Sequence, residues 1–327
     1  MACELPQPAP QGPVGIAVYA GFVHDLLSGS GEVEVVDGGR ADAILSLDGR
    51  FRARRGRLAV TAVYDLGHLL ERDAYAPVAW LRQNWQVASA ARRSDHLLAP
   101  SAAVKDGLER YLRVAPDRIT VLEPLPRPAF RRSSRQEARR LAQRLSLPDR
   151  YFVFVGSRSR RKNLGVLARA WATTHQAVGP EVGLVLAGPG TGTVPGAVDV
   201  GFVDAASLPQ LLSGAIAWLC PSLYEGCAVG ALEAMACGVP ALVSGTGALP
   251  RAVDAAGLIL DPHDPGQWAD AMIAVAGREA LRSTLSAAAR KAIAERRAHP
   301  PDLASLCRAL RSRRAPATAT ASPPPAR

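Results

Sequence analysis

The sequence predicts an α/β protein of two domains, each built on a parallel sheet, and three observations carry that prediction. Apolar runs of strand length alternate with helical patterns along most of the chain. The 327 residues suffice for two such domains of ordinary size. Pro124, Pro126 and Pro128 stiffen a stretch between the two blocks, which reads as an interdomain linker. The predicted organisation is a Pro-rich disordered segment 1–12, an N-terminal domain 13–130, a C-terminal domain 131–300, a short helix 301–314 that can cross back to the first domain, and a low-complexity disordered tail 315–327.

Val14 to Ala20 reads as a first buried strand and Phe22 to Leu27 as a short helix ended by Ser28-Gly29-Ser30-Gly31. Val33 to Val36, Ala43 to Leu47 and Leu58 to Tyr64 follow as short β-rich runs. Tyr75 to Arg93 reads as one helix, with Trp80, Leu81, Trp85 and Ala88 recurring at helical spacing. Asp95 to Ala99 is the next strand, and Ser101 caps the helix after it.

The second domain opens at Tyr151 with a strand running into Gly156. Asn163 can cap a helix whose apolar face is Leu164, Leu167, Ala168 and Trp171. Arg161 and Lys162 therefore precede a helix N-terminus at the carboxyl end of a parallel strand, where open α/β sheets bind ligands. Val182 to Ala187 is a strand; the GPGTG after it reads as a turn, because no helix follows.

The chain is organised around Ala215 to Ser244. An apolar run, Ile216 to Cys220, ends at Pro221-Ser222; Glu225-Gly226 follows, then a small-residue helix from about Gly230 to Cys237, stopped by Gly238 and Pro240, and a second apolar run, Ala241 to Val243. This strand, helix, strand unit holds Glu225 at the mouth of the helix and Glu233 within it. A carboxylate among Ala, Met, Leu and Gly needs a partner, and hydroxyl groups of a ligand would supply one. The helix N-terminus, with free N–H groups and a positive dipole end, suits a phosphate. Together these describe a sugar nucleotide.

PSLYEG followed by LEAMACGVPALVS resembles the donor-binding signature of retaining glycosyltransferases of family 4, in which two glutamates are separated by seven residues; here they are Glu225 and Glu233. The resemblance implies a GT-B fold, two Rossmann-like domains facing across a cleft, and retaining transfer of a sugar from a nucleotide-diphosphate donor. It implies that Glu225 holds the donor sugar and Glu233 the ribose, that Arg161 and Lys162 hold the diphosphate in a Gly156, spacer, Arg-Lys-Asn163 pattern, and that backbone N–H groups of Cys227, Ala228 and Val229 approach the sugar or the diphosphate. No metal is implied, since a fixed cationic pair can serve instead. The chain departs from the family pattern twice. Tyr64, before Asp65, stands where a sugar-facing histidine is usual; its hydroxyl can still donate to the sugar, or it is an ordinary end-of-strand aromatic. Ala228 stands where glycine is usual and restricts φ.

The net charge is +10. Candidate partners are nucleic acid, an anionic membrane surface or a phosphorylated substrate. Nucleic acid is disfavoured by 5% aromatic content and the absence of a binding motif. The basic run Arg50 to Arg57 leaves peripheral contact with an anionic lipid, or a phosphorylated acceptor, open. Five cysteines without zinc-ligand spacing, no apolar run of membrane-spanning length and a start unlike a signal peptide give the expectation of a cytoplasmic protein. Two further classes stay open beside the transferase: a catalytically silent GT-B scaffold and a nucleotide-sugar epimerase.

Overall fold

The computed structural model describes residues 2–4, 14–36, 41–53, 55–191, 193–301 and 303–314. The first half contains β1 (Ala2–Glu4), α1 (Val14–Gly29), β2 (Glu34–Val36), β3 (Ala43–Ser46), β4 (Leu58–Ala62), α2 (Gly67–Leu70), α3 (Pro77–Arg93), β5 (His96–Ala99), α4 (Ala102–Leu112) and β6 (Ile119–Val121). The second half contains α5 (Arg135–Arg144), β7 (Arg150–Val155), α6 (Leu164–Val178), β8 (Val182–Ala187), β9 (Val198–Gly201), α7 (Leu208–Ser213), β10 (Ala217–Cys220), α8 (Val229–Ala236), β11 (Ala241–Ser244), α9 (Leu249–Val253), β12 (Gly257–Leu260), α10 (Pro265–Gly277), α11 (Glu279–Ala298) and α12 (Leu303–Arg314).

The strands form two six-stranded sheets, ordered β2-β1-β3-β4-β5-β6 and β12-β11-β10-β7-β8-β9, and every pairing is parallel. Helices cover both faces of each sheet, which is why β3, β5, β10 and β11 are buried along their whole length. In the first domain α1 and α12 pack on one face, and α3 and α4 on the other. In the second, α7, α8, α9 and α11 take one face and α6 and α10 the other.

Two expectations for the N-terminus are corrected. Val14 to Ala20 is the first part of helix α1 and not a strand, and the first strand is Ala2–Glu4, inside the segment expected to be disordered. A short apolar run without polar alternation fits a buried strand or a buried helix equally well, and α1 is apolar on more than its core face. The N-terminal sheet thus starts at residue 2, paired with Glu34–Val36 and with Ala43 and Ile44. The remainder of 1–12 and the tail 315–327 lie outside the described residues.

The helix after the C-terminal domain returns to the first one. Leu303, Leu306, Cys307 and Leu310 of α12 pack in one core cluster with Cys3, Tyr19, Leu27, Leu45 and Leu122, and Arg313 pairs with Asp117 at 2.8 Å. Local signals account for several element ends. Ser101 accepts the Val104 N–H at the start of α4, and Ser134 with Glu137 forms a reciprocal capping box at the start of α5. In the basic run Arg50 to Arg57, Arg52 forms two hydrogen bonds to Asp48 and Arg57 pairs with Glu4, so part of that charge is spent within the fold.

Candidate active site

In the second sheet the chain leaves β7 for β8 and β9 on one side and returns to place β10 on the other. The carboxyl ends of β7 and β10 therefore flank the point where the strand order reverses, and ligands of open α/β sheets bind in the crevice at such points. Arg161 and Lys162 stand in the turn Arg160–Lys162 after β7, and Glu225 stands in the loop after β10. Topology brings them together: Lys162 Nζ lies 2.5 Å and Arg161 Nη1 3.2 Å from Glu225 Oε1. Burial alone would raise the Glu225 carboxyl; Lys162 and Arg161 outweigh it and hold the group at about 2.

The loop carrying Glu225 is braced on several sides. The Ala248 N–H donates to the Glu225 carbonyl at 2.7 Å, and Gly247, at φ 57°, lies so close that a Cβ there would stand 2.2 Å from the same oxygen. Arg161 donates from its guanidinium to the Tyr224 carbonyl, while its own carbonyl accepts the Leu223 N–H. Asn163 occupies the position before α6 but does not cap it, contrary to expectation. Its backbone is left-handed, φ 53°, and its side-chain amide donates instead to the carbonyls of Pro221 (3.1 Å) and Pro262 (2.7 Å), tying together the loops after β7, β10 and β12. Gly156 donates to the Ala187 carbonyl, and a Cβ on Gly188 would stand 2.2 Å from the Gly156 oxygen, so the loops after β7 and β8 meet through backbone.

The first domain closes on this cluster. Asp65 Oδ2 lies 3.7 Å from Arg161 Nη1, and Asp65 Oδ1 accepts the Gly67 N–H. Burial raises the Asp65 carboxyl to about 6 against the pull of Arg161 and the Gly67 N–H, with the Glu225 charge adding to the rise. Gly226 presses on the N-terminal domain: a Cβ there would stand 2.0 Å from the Tyr64 carbonyl oxygen, and its own carbonyl accepts the Ser101 hydroxyl at 2.7 Å. Tyr224 inserts into the cluster of Val63, Leu66, Val104 and Leu108, and Cys227 packs beside the other N-terminal core. The cations of the second domain are thus neutralised by Glu225 of their own domain and Asp65 of the other.

Tyr64 takes the end-of-strand arrangement of the two open for it. Its hydroxyl donates to the Leu47 carbonyl and its ring meets Tyr19 edge-on at 5.2 Å. Ala228 holds φ 51°, the left-handed region that its methyl disfavours, immediately before α8. The Val229 N–H turns to the Cys227 sulfur, and the Ala231 and Leu232 N–H groups to the Ala228 carbonyl.

Glu233, 8% exposed on α8, does not share a partner with Glu225. The Arg127 Nε of the linker donates to Glu233 Oε1 at 2.7 Å, and the Arg127 guanidinium lies over the Phe130 ring at 4.5 Å. Burial raises the Glu233 carboxyl and Arg127 opposes the rise. Sequence reasoning did not single out Arg127, Ser101's second contact, Tyr224 or Gly226. Each acts across more than 60 residues of chain or across the domain seam, and no local pattern marks such contacts.

Two Rossmann-like halves, facing each other with a cation pair and a glutamate at the strand ends of the second, define a GT-B architecture. The same fold is found in Anabaena HepE, solved with UDP-glucose (TM-score 0.70, 15% identity, 96% of this chain and 99% of that one), and in WaaG, a glycosyltransferase of lipopolysaccharide biosynthesis (TM-score 0.70, 15% identity, 94% and 98%). Residues 149–277 match the family model of glycosyl transferases group 1. A D-inositol 3-phosphate glycosyltransferase of Salinispora arenicola is 33% identical over 214 residues, 57% of this chain and 48% of that protein. An O-antigen chain mannosyltransferase of Escherichia coli is 33% identical over 127 residues, 35% and 33%. The chain spans half or less of the length of these two curated relatives.

Proposed function

We propose that the protein is a retaining glycosyltransferase that moves a sugar from a nucleotide-diphosphate donor to a nucleophilic acceptor. The observation that carries this reading is the meeting of Arg161, Lys162 and Glu225 at the strand-order reversal of the second sheet. The diphosphate takes the place of the carboxylates on Arg161 and Lys162. The bond from the anomeric carbon to the diphosphate oxygen breaks, the electron pair leaves on the diphosphate, and the acceptor oxygen bonds on the same face as its proton passes to the departing diphosphate. Charge developing on the leaving oxygen meets two fixed cations, an arrangement worth on the order of a hundredfold or more in rate. Glu225, released from the cations, faces the donor sugar, and Glu233 receives the ribose hydroxyls. Asn163 and Gly156 hold the loops in register. The cationic pair does this work in place of a metal. UDP and UDP-glucose complexes of the structural neighbour HepE support a nucleotide sugar as partner.

Entry of the donor requires the seam to open, because Asp65 and Glu225 occupy the cations when the domains meet. The experiment is a calorimetric and thermal-shift titration of UDP, GDP, ADP and TDP against the native chain and Lys162→Ala. A ligand at about a hundred times its dissociation constant stabilises the fold by roughly 2.7 kcal/mol. The expected result is one preferred nucleotide, with its shift lost in Lys162→Ala. No shift with any of the four would favour a silent GT-B scaffold, the reading that the self-neutralised cations suggest.

A further inference from the structure

Helix α3 is apolar on two opposite sides. Val87, Ala90 and Ala91 pack into the core of the N-terminal domain, and the Trp80 indole N–H donates to the His68 carbonyl at 2.9 Å. Val78, Leu81 and Trp85 point the other way and are 81%, 64% and 68% exposed. Among the described residues no other helix exposes more than one large apolar side chain. Such residues scattered singly are ordinary; in a row they mark a contact surface. Val78, Leu81, Trp85, Ala88 and Arg92 recur at spacings of three and four, the a/d seam of a heptad, over about 21 Å of helix. Arg82 and Ser89 flank one edge of the seam and Asn84 the other. A stripe confined to a and d positions has the width that one partner helix covers.

The two ends of α3 differ in charge. Glu71, Arg72 and Asp73 precede it with one net negative charge, and Arg92 and Arg93 close it with two positive charges. Arg72 lies over the Trp80 ring at 4.8 Å and Arg93 over the Phe51 ring at 4.2 Å. Asp73 and Arg92 are exposed and make no ion pair among the described residues. Two α3 helices laid antiparallel, Trp85 of each on Leu81 of the other, bring Arg92 of one copy to Asp73 of the other at both ends of the seam. Parallel helices would set arginine on arginine and acid on acid. An anionic bilayer would attract Arg92 but repel Glu71 and Asp73 at the other end of the same stripe. Arg82, on the edge of the stripe near the two-fold axis, is long enough to keep its guanidinium in water.

We infer that α3 pairs antiparallel with α3 of a second copy of this chain, with Leu81 and Trp85 at the centre of the contact and an Arg92–Asp73 pair at each end. The contact is isologous, since one stripe complements itself about a two-fold axis. A single pair of helices buries an area at the low end of specific interfaces, about 1,200 Å² or less, so the dimer is of roughly micromolar strength. The contact stands independently of the chemistry proposed at the domain seam.

The test is sedimentation equilibrium of the full chain from about 1 to about 200 μM, a range that brackets a micromolar dissociation constant. The wild type is expected to pass from monomer to dimer within it. Leu81→Ser and Trp85→Ser change side chains that are mostly exposed in the monomer, so the melting of the dilute chain is expected to be kept while dimer affinity falls by about tenfold or more. The charged ends report the orientation. Arg92→Asp and Asp73→Arg are each expected to weaken the dimer by about threefold or more, and the double variant, which exchanges the two charges, to regain most of the wild-type affinity. A wild type that stays monomeric across the range overturns the proposal, and retention of that monomer by phosphatidylglycerol vesicles would give the stripe to a membrane surface instead. A dimer that Leu81→Ser and Trp85→Ser leave unchanged lies on another surface and also overturns it. A double variant weaker than either single one overturns the antiparallel pairing.

Discussion

Asp65 and Glu225 face the same guanidinium, yet their environments move them in opposite directions. Burial wins at Asp65, raised to about 6, and the cations win at Glu225, held at about 2. For Asp65 the folded state keeps a proton that the unfolded chain releases near 3.8, so its contribution to stability is fully present below that pH and is lost as pH rises through about 6. The Glu225 contribution runs the other way: present above the unfolded value of 4.5, and lost only as pH falls through about 2. Between pH 4 and 6 the Asp65 trend is the one to observe. Asp65→Asn removes it while its side-chain oxygen can still accept the Gly67 N–H. The Asn variant is expected to match wild type near pH 4 and to exceed it by roughly 1–2 kcal/mol at pH 7, a figure kept modest because the Asp65 side chain retains 29% exposure. Denaturant melts across that pH range measure it; parallel curves would remove Asp65 as the titrating group of the seam.

Among the elements, α4 shows how a local rule can be broken and still hold. It starts with a serine cap and ends at Arg113 in the left-handed region, φ 55°, where glycine is the usual residue. Arg113 is exposed, so Arg113→Gly relieves the backbone without removing a packed side chain. A stabilisation of about 0.5–1 kcal/mol is expected in equilibrium unfolding, the relief outweighing the extra entropy of glycine in the unfolded chain. Ala228 has the same backbone conformation ahead of α8 but is buried in the C-terminal core, so glycine there would lose a packed methyl as it relieves strain. Helix α8 separates the two glutamates: the chain before its first turn leads back to Glu225, while Glu233 on the helix turns to the linker.

For the whole molecule, the decisive contact is the seam, where backbone meets backbone at Gly226 and Tyr64. Gly226→Ala would place a methyl 2.0 Å from the Tyr64 carbonyl oxygen, so the domains must separate or the loop must shift. The expected outcome is a larger radius of gyration in small-angle scattering and a loss of about 1–3 kcal/mol. An unchanged radius and stability would mean that the loop absorbs the methyl locally. The α12 return, the linker and this seam together join the two halves, and among the described residues no helix is long and apolar enough to cross a membrane.

The sequence by itself determined the fold class and most strands and helices of the second domain, and it marked Arg161, Lys162 and Glu225, which the structure brings into contact. Those features rest on local periodicity, turn residues and short spacing, which neighbouring residues settle between themselves. It misread Val14 to Ala20, because a helix that is apolar on more than its core face has no polar alternation to distinguish it from a buried strand. It could not show that Asn163 braces loops instead of capping α6, that Tyr64 is engaged by Leu47, or that Arg127 takes Glu233. Those outcomes were decided by the tertiary structure alone, since each depends on which residues distant in the chain arrive at the same strand end or on the same side of the domain seam.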